Sequence, residues 1–209
     1  MIETTPTEIQ PNILVWIIIQ AMGDVIGDDD SKVVLKEALL LDQLSDSAPD
    51  QMNPQFEFDQ ICKIMVAMET IYGPRAGRGL TIRIGRSSFS YILREYGKLL
   101  GFIDQSYKLL PWNEKINHVI RSLAKVFNSA TTQKVSVNDE PTQLTLNIEN
   151  CGVCWERISD VPICYLVTGM IHEALYWASS GKYFAVEETE CQAMGYSSCK
   201  IVISRLPLL

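Results

Sequence analysis

The stretch VEETECQAMGYSSC, from Val186 to Cys199, sets a carboxylate and two thiols at fixed intervals: Glu188, Cys191 and Cys199, in the pattern E-x2-C-x7-C. Five of the six cysteines lie after residue 150, at Cys151, Cys154, Cys164, Cys191 and Cys199. Residues of these types support three chemistries: a metal centre, a dithiol, or small hydrophobes filling a core.

Spacing favours the metal. KYFAVEETEC and SCKIVISRL read as two strands joined by a turn through Gly195, so a hairpin brings Cys191 to Cys199. ICYLVTGMIHEALYWASSG reads as a helix that opens at Cys164 and stops at Gly181. Packing of that helix on the hairpin would deliver Cys164 to the other ligands. Three thiolates and one carboxylate, from Cys164, Cys191, Cys199 and Glu188, form a closed four-coordinate set suited to zinc. With no open position for water, the zinc is expected to be structural. CGVC, from Cys151 to Cys154, competes as a zinc knuckle or a redox pair, although it lacks the βαβ setting of a thioredoxin-like motif. A site drawing on Cys151 or Cys154, and thiols that only fill a core, stay open as alternatives.

The elements that must position these residues change character near Thr131. Before it the pattern is helical. Residues 1–12 read as a loose tail, and a helix is expected from Pro11 to about Gly23. Its ILVWIII run is apolar on nearly every side, which suits deep burial or a dimer interface. GDDDSK interrupts it, and Ser31 is placed to cap a second helix, KVVLKEALLLDQL. SDSAPDQMNP has the composition of a linker. Further helices are expected over about Phe56–Tyr72 and Arg75–Leu100, divided by Gly73-Pro74. In the second of these, Gly77, Gly79 and Gly85 would let another helix or a ligand approach closely. PWNEKINHVIRSLAKVFNSA follows as a fifth helix, with Pro111 near its first turn. After Thr131, QKVSVND and TQLTLNIEN alternate apolar and polar residues and read as a hairpin. The class is therefore α+β: N-terminal helices packed on a small antiparallel sheet, with a C-terminal β-β-α-β-β unit.

A net charge of −7 argues against nonspecific nucleic-acid binding. Arg75, Arg78, Arg83 and Arg86 gather locally, as a solvated helix face or as a site for phosphate or an acidic partner. The longest apolar run has seven residues, against the roughly 20 that a membrane span requires. The polar start, without a basic n-region, predicts a cytoplasmic protein. In a reducing cytosol the cysteines are expected as thiols or metal ligands.

The stretch from Pro162 to Ile203, with Cys164, Gly169, Glu188, Cys191, Gly195 and Cys199 in order, resembles the 4-vinyl reductase domain. That is a small-ligand domain related to transport protein particle subunits and to the sensor domains of phenol- and toluene-responsive activators. In those sensors a Cys, Glu, Cys, Cys set holds a structural zinc. The resemblance divides the chain into a helical extension over residues 1–50, the candidate dimer interface, and a ligand-binding domain over 51–209. The activators carry ATPase and DNA-binding domains after the sensor, and none follows Leu209, so no transcription factor of that type is expected.

The resemblance further implies a pocket for an apolar or aromatic small molecule, with Trp112, Phe127, Trp155, Tyr165, Tyr176 and Trp177 as the aromatic residues able to wall it. Kinship within the family makes a tetrapyrrole or chlorophyll precursor a plausible cargo, with a role in pigment or photosystem assembly, and the binder is expected to act as a homodimer. Phenol sensors hold the hydroxyl with His and Trp; this chain has only His118 and His172, and neither is assigned that part. The alternatives are a vinyl reductase or accessory enzyme of (bacterio)chlorophyll synthesis, and a pure protein-interaction module. Catalysis is the weaker expectation. Vinyl reduction needs an electron carrier, and the chain has no G-x-G-x-x-G after a strand and no ferredoxin-like cysteine run.

Overall fold

Period-two alternation after Thr131 builds the sheet that carries the cysteines. A computed structural model describes residue 9, residues 13–44 and residues 60–208. Strands β1 (Lys134–Asp139), β2 (Gln143–Glu149), β3 (Phe184–Glu190) and β4 (Cys199–Pro207) form one antiparallel sheet in the order β1-β2-β4-β3. Register pairs Leu144 with Ile203, Leu146 with Ile201 and Ile148 with Cys199. All six side chains are fully buried, so alternation places Cys199 on the apolar face as the last layer of the core. In β3 a bulge intervenes: Glu188 faces Ile201, whereas Glu190 faces the very next residue, Lys200. A bulge of this kind re-aims a side chain, and here it lies beside Glu188.

The helices are α1 (Ile13–Ile26), α2 (Asp28–Glu37), α3 (Leu41–Leu44), α4 (Gln60–Tyr96), α5 (Gln105–Leu109), α6 (Trp112–Ala130) and α7 (Tyr165–Ala178). The α+β class and the β-β-α-β-β order are as expected. Gly73, at φ 77° and ψ 157°, breaks α4, and Pro74 starts its second segment, where a missing N–H leaves no bond unmade. That segment crosses α7 at two glycines. A Cβ on Gly85 would stand 2.1 Å from the Leu166 carbonyl oxygen, and one on Gly169 would stand 2.2 Å from that of Ile82. The close approach foreseen for the α4 glycines is thus made by a helix, at Gly85.

Several local expectations need correction. The first helix runs past Gly23 to Ile26. Ser31 is no cap: it lies inside α2, and its hydroxyl donates to the Gly27 carbonyl at 2.8 Å. KVVLKEALLLDQL is not one helix, because the chain leaves α2 at Leu39 with φ 58°. There Leu39 N–H donates to Lys36 O and Leu40 N–H to Leu35 O, a Schellman closure with leucine where glycine is usual. At the end of α7 the left-handed positions are Ser180 and Gly181, and Gly181 N–H donates to Tyr176 O at 2.8 Å. The expected linker SDSAPDQMNP and the start of a helix at Phe56 lie outside the described residues, as does nearly all of the expected tail.

Apolar α1 sends Ile13, Leu14, Val15, Ile17, Ile18, Ala21 and Met22 into the core of the chain, packing chiefly on α4. No described helix is long and apolar enough to cross a membrane.

Candidate metal centre and adjoining cavities

Four elements deliver the candidate ligands. Cys164 is the residue preceding the first turn of α7, Glu188 lies on β3, Cys191 follows β3, and Cys199 opens β4. The loop after β2 adds Cys151 and Cys154, turned inward past Asn150, whose φ is 54°. All five of these cysteines are buried and none forms a disulfide. Two quartets arise, Cys164 with Glu188, Cys191 and Cys199, and Cys151 with Cys154, Cys164 and Cys199. Within each, the ligand atoms lie within 4.8 Å of one another.

The spacings suit a tetrahedral ion. Sulfur–sulfur distances are 3.6 Å for Cys164–Cys199 and 3.9 Å for both Cys164–Cys191 and Cys191–Cys199. Cys151–Cys164 is 3.5 Å and Cys154–Cys199 is 3.4 Å. Zinc–thiolate bonds of about 2.3 Å imply a tetrahedral edge of about 3.8 Å. Glu188 adds a second mark: its Oε2 accepts from the Cys164 N–H at 2.8 Å, while its Oε1 is buried with no hydrogen-bond partner. A buried carboxylate oxygen without a donor is costly, and a cation among the neighbouring sulfurs would satisfy it. The backbone supports the sulfurs too, with Gln192 N–H donating to Cys199 Sγ at 3.3 Å.

Without a cation the thiols must share protons. Hydrogen bonds with Cys151 first, then with the other cluster cysteines, push the Cys164 thiol up, reinforced by its burial. Hydrogen bonds from the same neighbours, Cys151 first, draw Cys154 down. A bound divalent ion would override this division by deprotonating its thiol ligands outright.

Two cavities adjoin α4 and α7. One, of about 370 Å³, runs between Leu39, Val66 and Trp155, beside the hydrogen bond from Cys62 Sγ to Trp155 O at 3.2 Å. The other, of about 300 Å³, is bounded by Phe102, Tyr107, Lys115 and Trp177. Tyr107 stacks on Trp177, with centroids 5.8 Å apart and planes 9° apart. Phe102 stands 5.2 Å from Trp177, and His118 stands 5.1 Å from Tyr107. His118 Nε2–H donates to Leu100 O at 2.9 Å, which holds the ring in place. The Tyr107 hydroxyl is buried without a partner, and burial pushes its pKa up to about 12.

The six aromatic residues expected to wall a pocket do not meet in one place. Trp177 lines the smaller cavity and Trp155 the larger. Trp112 packs on Phe184 at 5.9 Å, Tyr176 on Tyr183 at 5.0 Å, and the Arg78 guanidinium lies 4.4 Å over the Tyr165 ring. Phe127 is buried in the core. Sequence reasoning missed Phe102, Tyr107 and Lys115, which sit in and after the connection between α4 and α6, where no period marks them. Of the arginine cluster, Arg75, Arg78 and Arg83 are exposed and Arg86 is half-buried, in keeping with a solvated helix face.

Known proteins place this arrangement. Residues 144–205, which span β2 to β4 and hold all five clustered cysteines, match the model of the 4-vinyl reductase domain family, so this part of the chain is a 4-vinyl reductase domain. The resemblance read from the cysteine motif is therefore correct for this segment. The uncharacterized protein MJ0745 of Methanocaldococcus jannaschii is 36% identical over 72 residues, which are 34% of this chain and 38% of that protein. Solved structures of H-NOX proteins share the fold over nearly the whole chain. One from S. oneidensis in the Fe(II) ligation state has a TM-score of 0.58 at 11% identity, covering 96% of this chain and 97% of that one. The Fe(II) unliganded H-NOX protein from K. algicida has a TM-score of 0.54 at 14% identity, with the same coverages.

Proposed function

We propose that this protein is a non-catalytic binder of a small aromatic molecule, held in shape by a structural zinc on Cys164, Glu188, Cys191 and Cys199. The observation that carries it is the cavity beside Trp177, where stacked rings surround a buried Tyr107 hydroxyl that lacks a partner. Apolar walls with one convergent polar group are what a ring bearing a hydroxyl or carbonyl requires. Such a ligand gains area by stacking and pairs the hydroxyl that burial leaves unsatisfied. His118 contributes by fixing the Tyr107 face.

Structural zinc supports this role through α7. The helix begins at the metal ligand Cys164 and carries Trp177 near its far end, so an ion that pins the first turn also positions the cavity wall. When bound, zinc supplies charge neutralisation for the thiolates and a rigid cross-link. The resident side chains do the recognition.

A volume of about 300 Å³ suits a compound of one or two rings. A tetrapyrrole or chlorophyll precursor, the larger cargo implied by kinship, would need the cavity to open, so the smaller ligand is favoured. A homodimer through α1 would have to use its half-buried Trp16 and Ile19, because Ile17 is committed to the chain's own core. Action in the cytoplasm fits a centre of buried reduced thiols.

Calorimetric titration of the metal-loaded protein with phenol and with indole tests the binding. The expected result is one site per chain with a negative heat-capacity change, lost in Trp177→Ala while metal content stays constant. Absence of binding by any one- or two-ring aromatic compound would contradict the proposal.

A further inference from the structure

The two ligand quartets overlap in Cys164 and Cys199. We infer, resting on the metal assignment above, that the centre takes two divalent ions, with Cys164 and Cys199 as bridging thiolates. Cys151 and Cys154 complete one tetrahedron, and Cys191 and Glu188 complete the other.

Any single occupancy strands ligands. An ion held by Cys164, Glu188, Cys191 and Cys199 leaves Cys151 and Cys154 buried beside bound thiolates, at 3.5 Å from Cys164 and 3.4 Å from Cys199. An ion in the all-cysteine quartet leaves Cys191 idle and the Glu188 Oε1 buried without a partner. Two ions use all six side chains. The shared edge, at 3.6 Å, is close to the roughly 3.8 Å of a tetrahedral zinc–thiolate site. A thiolate sulfur has lone pairs enough for two soft cations, and the bridges lie between the ions and screen their repulsion. The second ion brings two positive charges and engages two further thiolates, so the formal charge of the cluster does not grow.

The CGVC loop is also held in position independently of any ion. Cys151 N–H donates to Gln192 Oε1 at 2.7 Å, Gly152 N–H to Gln133 Oε1 at 3.3 Å, and Ser159 N–H to Ala193 O at 2.9 Å. The first and last of these fasten the loop to the turn between β3 and β4, as outer-shell partners do for ligands that must not wander. A C-x2-C pair anchored against four further ligands is the set that a thiolate-bridged pair of zinc ions requires.

The test is metal counting on the full chain, reconstituted with zinc under reducing, oxygen-free conditions and measured by native mass spectrometry. Two zinc ions per chain are expected, falling to one in the C151S/C154S double variant. Reconstitution with cadmium-113 should give two resonances, one from an all-sulfur site and one from a site with a carboxylate oxygen. One ion in both wild type and double variant would overturn the pair and leave the Cys164, Glu188, Cys191, Cys199 site standing. One ion in wild type and none in the double variant would move it to the all-cysteine quartet, and also overturns the pair. No ion at all would contradict the metal assignment itself. Should the double variant fail to fold, the wild-type count decides alone.

Discussion

Glu188 is the side chain on which the chemistry of the centre turns. One of its oxygens is satisfied by the Cys164 backbone and the other is left among buried sulfurs. A glutamine there can still accept the Cys164 N–H, but it brings no negative charge. Glu188→Gln is therefore expected to fold and to bind zinc on the order of 10- to 100-fold more weakly, the loss typical when a metal site's supporting groups are removed. Competition against a chromophoric chelator measures it, and unchanged affinity would exclude Glu188 as a ligand. At this scale the sequence was informative for a physical reason: E-x2-C-x7-C across a tight turn returns the chain to the same spot. It was silent on Tyr107 and Phe102, whose meeting with Trp177 depends on how α5 folds back, and the six aromatics it did suggest are dispersed. CGVC, weighed there as a rival source of ligands, converges on Cys164 and Cys199.

Among the elements, α4 and α7 set the geometry, since their crossing fixes where both ends of α7 lie. Gly85 and Gly169 allow backbone to touch backbone. Gly169→Ala must push the helices apart, because the contact to be relieved is a carbonyl oxygen at 2.2 Å rather than a flexible side chain. A loss of at least about 1–3 kcal/mol is expected, as for overpacked cores, read as a lower urea midpoint at constant m-value. Stability equal to wild type would show that the crossing has slack. Helix periodicity and strand alternation revealed these elements in the sequence, together with the break at Gly73-Pro74. Ends closed without glycine were not legible: at Leu39 and Ser180 the left-handed residue is an ordinary one, held by the hydrogen bonds that close the helix end.

Across the molecule, the metal centre and the aromatic cavity sit toward opposite ends of one helix. The 4-vinyl reductase segment supplies the centre and α7, while the N-terminal helices, through α4 to α6, supply Phe102, Tyr107 and His118 on the far wall. Neither part encloses the cavity alone. This division explains why the motif announced the centre and not the pocket: ligands for the ion lie within one supersecondary unit, whereas the cavity is closed by residues brought from elsewhere in the chain.

The central claim is that an ion clamps the β3–β4 hairpin to the first turn of α7 and so holds the cavity wall. Hydrogen–deuterium exchange on zinc-loaded and chelator-stripped protein tests it most directly. Stripping is predicted to speed exchange at Cys191–Cys199 and at the start of α7, with loosening carried along the helix to Trp177, while β1 and α1 stay protected. Identical protection of the hairpin and α7 in both states would contradict the clamp and return the cysteines to the role of core residues.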